Sequence, residues 1–264
     1  MGQLTTITRG GSRFYVDPIT RDKVPSVTSV NGCLPKPFLQ HWAARMVAEN
    51  AVDNLGGLVS IAMNDRSGAV DYLKRAPTRS VQESADTGTA VHDLFERIAR
   101  GEHVGRVSPE IEPYRRYLVD FHDRYQPRYH FVEDTVWSDR HRYAGSFDFL
   151  GDIEEKTVLG DLKTTRSGIH AEVALQLAAY AHADRIITQN GASVDIPEVT
   201  GGVVLHVRPE GWSLVPVRID ANVFEFFLHL RRVFDWVHEV AETVKGTPLC
   251  QSAASTGSQR RRTH

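Results

Sequence analysis

The stretch YAGSFDFLGDIEEKTVLGDLKTT, residues 143–165, sets Asp148, Asp161 and Lys163 into segments that are otherwise largely apolar. A carboxylate buried on a sheet face costs several kcal/mol unless a cation compensates it, so a largely apolar hairpin that keeps two of them is expected to hold a metal ion or an ion pair. Residues two apart in a strand share a face, which puts Asp161 beside Lys163. On the preceding strand Asp148 shares its face with Ser146 and Leu150, and antiparallel pairing across the turn DIEEKT brings it beside Asp161. Asp-x-Lys alone means little, because a chain this long contains about one by chance. Its weight comes from following another acidic strand. Glu154 and Lys156 form a second acid-x-Lys, but in the polar turn, where a solvated surface pair is expected.

Other residues could serve the same centre. Gln176 and Tyr180 lie four apart on the next helix, hence on one face, and near enough in sequence to Lys163 to lie over the strand. Taken alone they read as polar residues at the edge of the core. His92, in DTGTAVHDLFERI, sits at the margin of the apolar stripe Val91, Leu94, Phe95 and Ile98, with small Gly88 and Ala90 allowing close approach of another backbone. A lone helix-margin histidine is usually structural or solvated. Glu133, on the strand before, reads as a surface acid, with an outer-sphere role as the alternative.

The elements that must position these groups follow from periodicity. LTTITRGGSRFYV reads as a hairpin turning at Gly10-Gly11 and leads into the polar VPSVTSV. Helical patterns are expected from Pro37 through Leu55, then at about 66–76, 80–100 and 109–125. From Tyr129 the period becomes that of strands: YHFVEDTVW, YAGSFDFLGDI and KTVLGDLKT. HAEVALQLAAYAHADRIIT reads as one helix, GGVVLHVRP and GWSLVPVRI as a strand pair turning at Pro209-Glu210-Gly211, and 220–245 as a final helix. The expectation is an α/β fold with a hairpin and helical section over 1–127, a core over 128–246, and a disordered basic tail over 247–264.

The totals set bounds. The 264 residues are 41% hydrophobic and 24% charged, enough for a sizeable core. No apolar run approaches the roughly 18–20 residues of a membrane span, and the start MGQLTTITRGG lacks a signal peptide's features, so the expected location is the cytoplasm with no membrane partner. Net charge −2 gives no global signature of a nucleic-acid binder, although a local basic groove remains compatible with it. No phosphate loop of the GxxxxGK[ST] type is present.

The combination of GSFDFLG, with Asp148 thirteen positions before Asp161, GDLKTT and LQLAAYA resembles the RecB-type branch of the PD-(D/E)xK nuclease superfamily. VPSVTSVNGCLPKPFLQHWA and GTAVHDLFE are similar to segments of phage-encoded relatives of the CRISPR-associated exonucleases and of the mitochondrial genome maintenance exonuclease. The likeness covers roughly residues 24–210. It implies a restriction-endonuclease-like core, a central mixed sheet flanked by helices. It further implies that His92, Asp148, Asp161 and the Leu162 carbonyl hold Mg²⁺ or Mn²⁺, that Lys163 is the catalytic lysine, and that Gln176 and Tyr180 are accessory. The implied activity is a DNA exonuclease of phage recombination, repair or replication in the host cytoplasm. Its implied partners are single-stranded DNA or DNA with free ends, and a single-strand annealing or recombination protein.

The clustered members of that family use four cysteines, whereas this chain has two, so no iron-sulfur cluster is expected. A hard cation suits the expected chemistry, because phosphodiester hydrolysis needs a polarised phosphoryl oxygen and an acidified water. Arg166, Arg97, Arg115 and Arg116, with Lys74, Arg75 and Arg79, are the candidate phosphate contacts, at least half of them expected to be solvated helix-face charges. The alternatives are a structure-specific endonuclease on the same core, a non-catalytic DNA-binding recombination partner, and an α/β protein whose strand acids merely pair with cations.

Overall fold

The computed structural model describes residues 4–250. The expected disordered tail therefore lies, from residue 251 onward, outside the described residues. Gly10 and Gly11 both take positive φ, 57° and 76°, as a two-residue primed turn requires. Strands β1 (Thr5–Arg9) and β2 (Ser12–Val16) accordingly pair antiparallel, and β3 (Lys23–Pro25) joins them. VPSVTSV is more than a polar connection. Ser26 caps the short helix α1 (Val27–Asn31) by accepting the Ser29 N–H, and Val27 and Val30 are buried.

The helical section comprises α2 (Phe38–Asp53), α3 (Leu55–Asn64), α4 (Arg66–Lys74), α5 (Ala76–Ala99) and α6 (Glu112–Tyr125). α3 opens on Leu55-Gly56-Gly57, and paired glycines are poor helix formers, which is why the pattern does not announce it. Neither α2 nor α3 contains a buried residue. α5 differs along its length: its second half supplies Val91, Leu94 and Phe95 to a core shared with Tyr114, Leu118 and Phe121 of α6.

The strands are β4 (Arg128–Val132), β5 (Thr135–Ser138), β6 (Tyr143–Ser146), β7 (Phe149–Ile153), β8 (Lys156–Lys163), β9 (Arg185–Ile187), β10 (Ser193–Val194), β11 (Gly201–Arg208) and β12 (Gly211–Val217). A five-stranded sheet runs β12-β11-β8-β7-β4, with β11 and β8 parallel and every other pair antiparallel. A four-stranded sheet runs β10-β9-β5-β6. One face of the mixed sheet packs on α5 and α6. The other packs on α7 (Glu172–Ala181) and α8 (Ala221–Asp235) through Leu150, Leu159 and Val204. The fold is mixed α/β, a mixed sheet flanked by helices. Among the described residues no helix is long and apolar enough to cross a membrane.

Three expected elements are divided. YHFVEDTVW breaks at Glu133-Asp134 and YAGSFDFLGDI at Phe147-Asp148, so each segment gives one strand to each sheet. The two breaks are bonded to each other, Glu133 N–H to the Asp148 carbonyl and Phe147 N–H to the Asp134 carbonyl, both at 3.1 Å. Asp148 is thus in a bend between strands and does not share a continuous strand face with Ser146. The helix expected over 170–188 ends at Ala181, because the Asp184 carboxylate accepts from the Ser138 hydroxyl and the Arg140 N–H and draws Arg185–Ile187 onto β5 as β9. The last helix ends at Asp235 in a π-helical turn, residues 236–240, past the final buried anchor Phe234.

Candidate metal centre

Alternation along β8 places Leu159 in the core under α7 and Val158 and Leu162 in the core under α5 and α6. Asp161 and Lys163 therefore share the α7 side. Gly160, between them and the sheet interior, has no side chain because a Cβ there would fall 1.9 Å from the Phe149 ring. Asp161 is 3% exposed. Its Oδ1 accepts from Gln176 Nε2 at 2.8 Å, and its Oδ2 lies 2.6 Å from Lys163 Nζ. That ion pair is poorly aligned, so Oδ2 is charge-compensated yet receives no hydrogen bond. Burial, reinforced by the Asp148 charge, pushes the Asp161 carboxyl up to about 6 against the opposing pull of Lys163.

The register Phe149↔Gly160, continued by one residue, sets Asp148 opposite Asp161 just beyond the end of β7. Asp148 Oδ2 accepts the Leu162 N–H at 2.5 Å. The N–H and C=O of a strand residue leave the same side of the strand, so the Leu162 carbonyl faces the same gap. From above, α5 crosses this end of the sheet, with Gly88 against Thr164. One turn later it presents His92, whose Nδ1 lies 3.3 Å from Asp148 Oδ1 and 3.9 Å from Glu133 Oε1. Burial alone would lower the His92 pKa, but hydrogen bonding and attraction to Asp148 and Glu133 outweigh it and raise it to about 10. Glu133 is itself raised, by burial first and by the charges of Asp148 and Glu96, against the pull of His92.

The donor set suits a divalent cation. Two atoms bound to one ion at about 2.1 Å lie no more than about 4.2 Å apart, and the 3.3 and 3.9 Å separations from His92 meet that limit. One ligand atom each from His92, Glu133 and Asp148 lies within 4.8 Å of the others, a spacing that side-chain rotation on metal binding would have to tighten between the two carboxylates. Carboxylate oxygens with one imidazole fit Mg²⁺ or Mn²⁺, the imidazole favouring Mn²⁺. The buried Asp161 Oδ2 without an aligned donor is a further position a cation or its water could satisfy.

His92, Asp148, Asp161, Leu162, Lys163 and Gln176 thus converge, joined directly or through one another. Tyr180 is buried, and its ring packs where a Gly145 side chain would be, 2.4 Å from an added Cβ. It braces α7 against β6. Glu154 and Lys156 stay at the far end of the hairpin, where Glu154 and Glu155 make the turn with positive φ. Arg115 is held by Glu112 at 2.6 and 2.9 Å, and Arg97 by the His103 carbonyl and Glu102. Arg79 ties Tyr72 and Asn50 together, Lys74 lies 4.0 Å from Asp71, and Arg75 caps α4. Arg116 stacks on Tyr117, and Arg166 is exposed on the loop after β8.

One expected placement changes and one residue is new. Glu133, expected on the surface with an outer-sphere role as the alternative, belongs to the cluster with His92 and Asp148. His206 stands beside Lys163 in the parallel β11–β8 register, and its Nε2–H donates to the Thr165 carbonyl at 2.8 Å, pinning the loop that follows Lys163. Nothing in the sequence near His206 marks it.

No family model matches the chain, and no curated protein matches it. Among solved structures, the crystal structure of SSO0001 is similar at 10% identity, covering 81% of this chain and 89% of that one with a TM-score of 0.33. A likeness so loose carries no argument, and the functional reading rests on the site.

Proposed function

We propose that the protein is a divalent-metal-dependent DNA exonuclease of the RecB-like PD-(D/E)xK type, acting on free ends in DNA recombination, repair or replication. The observation that supports this is the meeting of two carboxylates, Asp148 in the bend before β7 and Asp161 on β8, with Lys163 and His92 at one end of a mixed sheet. An ion-pair role alone explains the carboxylates poorly. One lysine and one histidine face Asp161, which is buried, and Asp148 and Glu133, which are half-buried, and the surplus negative charge invites a cation.

His92, Asp148, Asp161 and the Leu162 carbonyl would hold Mg²⁺ or Mn²⁺, which supplies charge neutralisation and an acidified water. His92 ligates only as the neutral imidazole and so gives up its proton on binding. Lys163 orients the attacking water or stabilises the negative charge that grows on the phosphate. Gln176 fixes the Asp161 carboxylate, and His206 steadies the loop next to Lys163. The test is cleavage of single- and double-stranded DNA labelled at either end, with Mg²⁺, Mn²⁺ or EDTA, beside a closed circle. Release of short products from ends with the circle intact is expected. Cutting of the circle would make it an endonuclease, and no cleavage of any substrate would end the nuclease reading.

A further inference from the structure

From the geometry we infer that Glu133 is a direct metal ligand, completing with His92 and Asp148 a cation site that binds Mn²⁺ in the absence of DNA. The inference extends the metal centre of the proposed nuclease, but its test needs no DNA. Glu133 occupies the break that separates β4 from β5, with φ 56°, a left-handed conformation uncommon for a residue other than glycine, asparagine or aspartate. Its N–H bonds the Asp148 carbonyl, and the Phe147 N–H bonds the Asp134 carbonyl. Two adjacent strands thus break at one level, and the crossed bonds clamp the backbones that carry the two carboxylates.

The charges around Glu133 point the same way. Glu96 is paired with Arg100 at 2.7 Å, and Asp134 accepts the Gln189 N–H at 2.8 Å. Among the described residues the Glu133 carboxylate has no partner but His92, 3.9 Å away, and His92 is shared with Asp148 at 3.3 Å. Both spacings suit ligands of one ion. Lys163 does not relieve the surplus, because its Nζ lies 2.6 Å from the nearly fully buried Asp161 Oδ2 and is committed to that carboxylate. A simple ion pair would leave two carboxylates on one imidazole; a divalent cation balances them.

The experiment is calorimetric titration of Mn²⁺ alone into wild-type protein, Glu133→Gln, Glu133→Asp and Glu96→Gln, with circular dichroism of each. Glu133→Gln should bind Mn²⁺ about 10-fold or more weakly, Glu133→Asp less so, and Glu96→Gln, which removes an equal charge that Arg100 already neutralises, should stay near wild type. If Glu133→Gln does not fold, Glu133→Asn replaces it, since asparagine accepts the left-handed backbone. Wild-type affinity in the charge-neutral Glu133 variant, an equal loss in Glu96→Gln, or no Mn²⁺ binding by wild type would overturn the inference. DNA cleavage with unaltered Mn²⁺ affinity in Glu133→Gln sinks only the Glu133 ligand. Mn²⁺ held through Glu133 without any cleavage sinks only the nuclease reading.

Discussion

Lys163 Nζ reaches the buried Asp161 carboxylate at 2.6 Å from a half-buried position, so each replacement changes the charge of the site without opening a hole in the apolar core. In the proposed nuclease, Lys163→Ala and Asp161→Asn should each lower the cleavage rate by at least about 10²–10³-fold, with circular dichroism unchanged. Glu154→Gln and Lys156→Ala, at the opposite end of the hairpin, should cleave like wild type. The reverse pattern would place the motif in the turn. Among the described residues the Gln176 side chain hydrogen-bonds the Asp161 carboxylate, at 2.8 Å, and so holds its orientation. Gln176→Ala should therefore cost about 10–100-fold in metal affinity or activity, read as a rise in the Mn²⁺ concentration for half-maximal cleavage.

Among elements, α7 matters most, because it carries Gln176 and is braced by Tyr180 against the bare backbone of Gly145 on β6. An alanine at 145 would put its Cβ 2.4 Å from a ring that is buried and cannot retreat. Gly145→Ala should cost about 1–3 kcal/mol in urea unfolding. An unchanged midpoint would mean that α7 slides freely on β6. The N-terminal hairpin is fastened differently. Asp17 is 2% exposed, accepts the Ile19 and Thr20 N–H groups, and meets Arg185 of β9 at 2.8 Å. Burial would raise its pKa, but Arg185 and the two backbone donors outweigh that and hold it below the ordinary 3.8. A depressed carboxyl adds stability above its unfolded pKa and loses it as pH falls through the folded one. Asp17→Asn should thus cost about 1–3 kcal/mol at pH 7, and the gap in melting temperature from wild type should narrow below about pH 4. A gap independent of pH would assign the effect to packing.

Over the whole molecule the charge is nearly balanced, net −2, while the proposed site is acidic, so in the proposed nuclease a DNA backbone would have to be gripped by cations around it. Arg115 and Arg97 already have protein partners. Among the described residues Arg166 has neither a hydrogen bond nor an ion pair, and it follows Lys163 by three residues. DNA affinity should fall steeply with salt. Arg166→Ala should reduce the slope of log K against log salt by about one, while Arg115→Ala leaves it nearly unchanged. A binding constant indifferent to salt would remove the groove.

The sequence by itself determined the hairpins, most helices, the β8 strand and the shared face of Asp161 and Lys163, because periods of two and 3.6 residues and tight-turn glycines are local properties. The antiparallel β7–β8 register was likewise legible, since the short turn at Glu154-Glu155 fixes which residues stand opposite. Tertiary structure alone decided that two apparently continuous strands divide between sheets. Glu133 and Asp148 look like ordinary strand residues until their breaks are bonded to each other across the chain. It also decided that α5 crosses the sheet end with His92 inward and that His206 stands beside Lys163, because those placements depend on packing between segments remote in sequence. Periodicity tells which way a side chain faces on its own element. Only the assembled layers determine what it meets there.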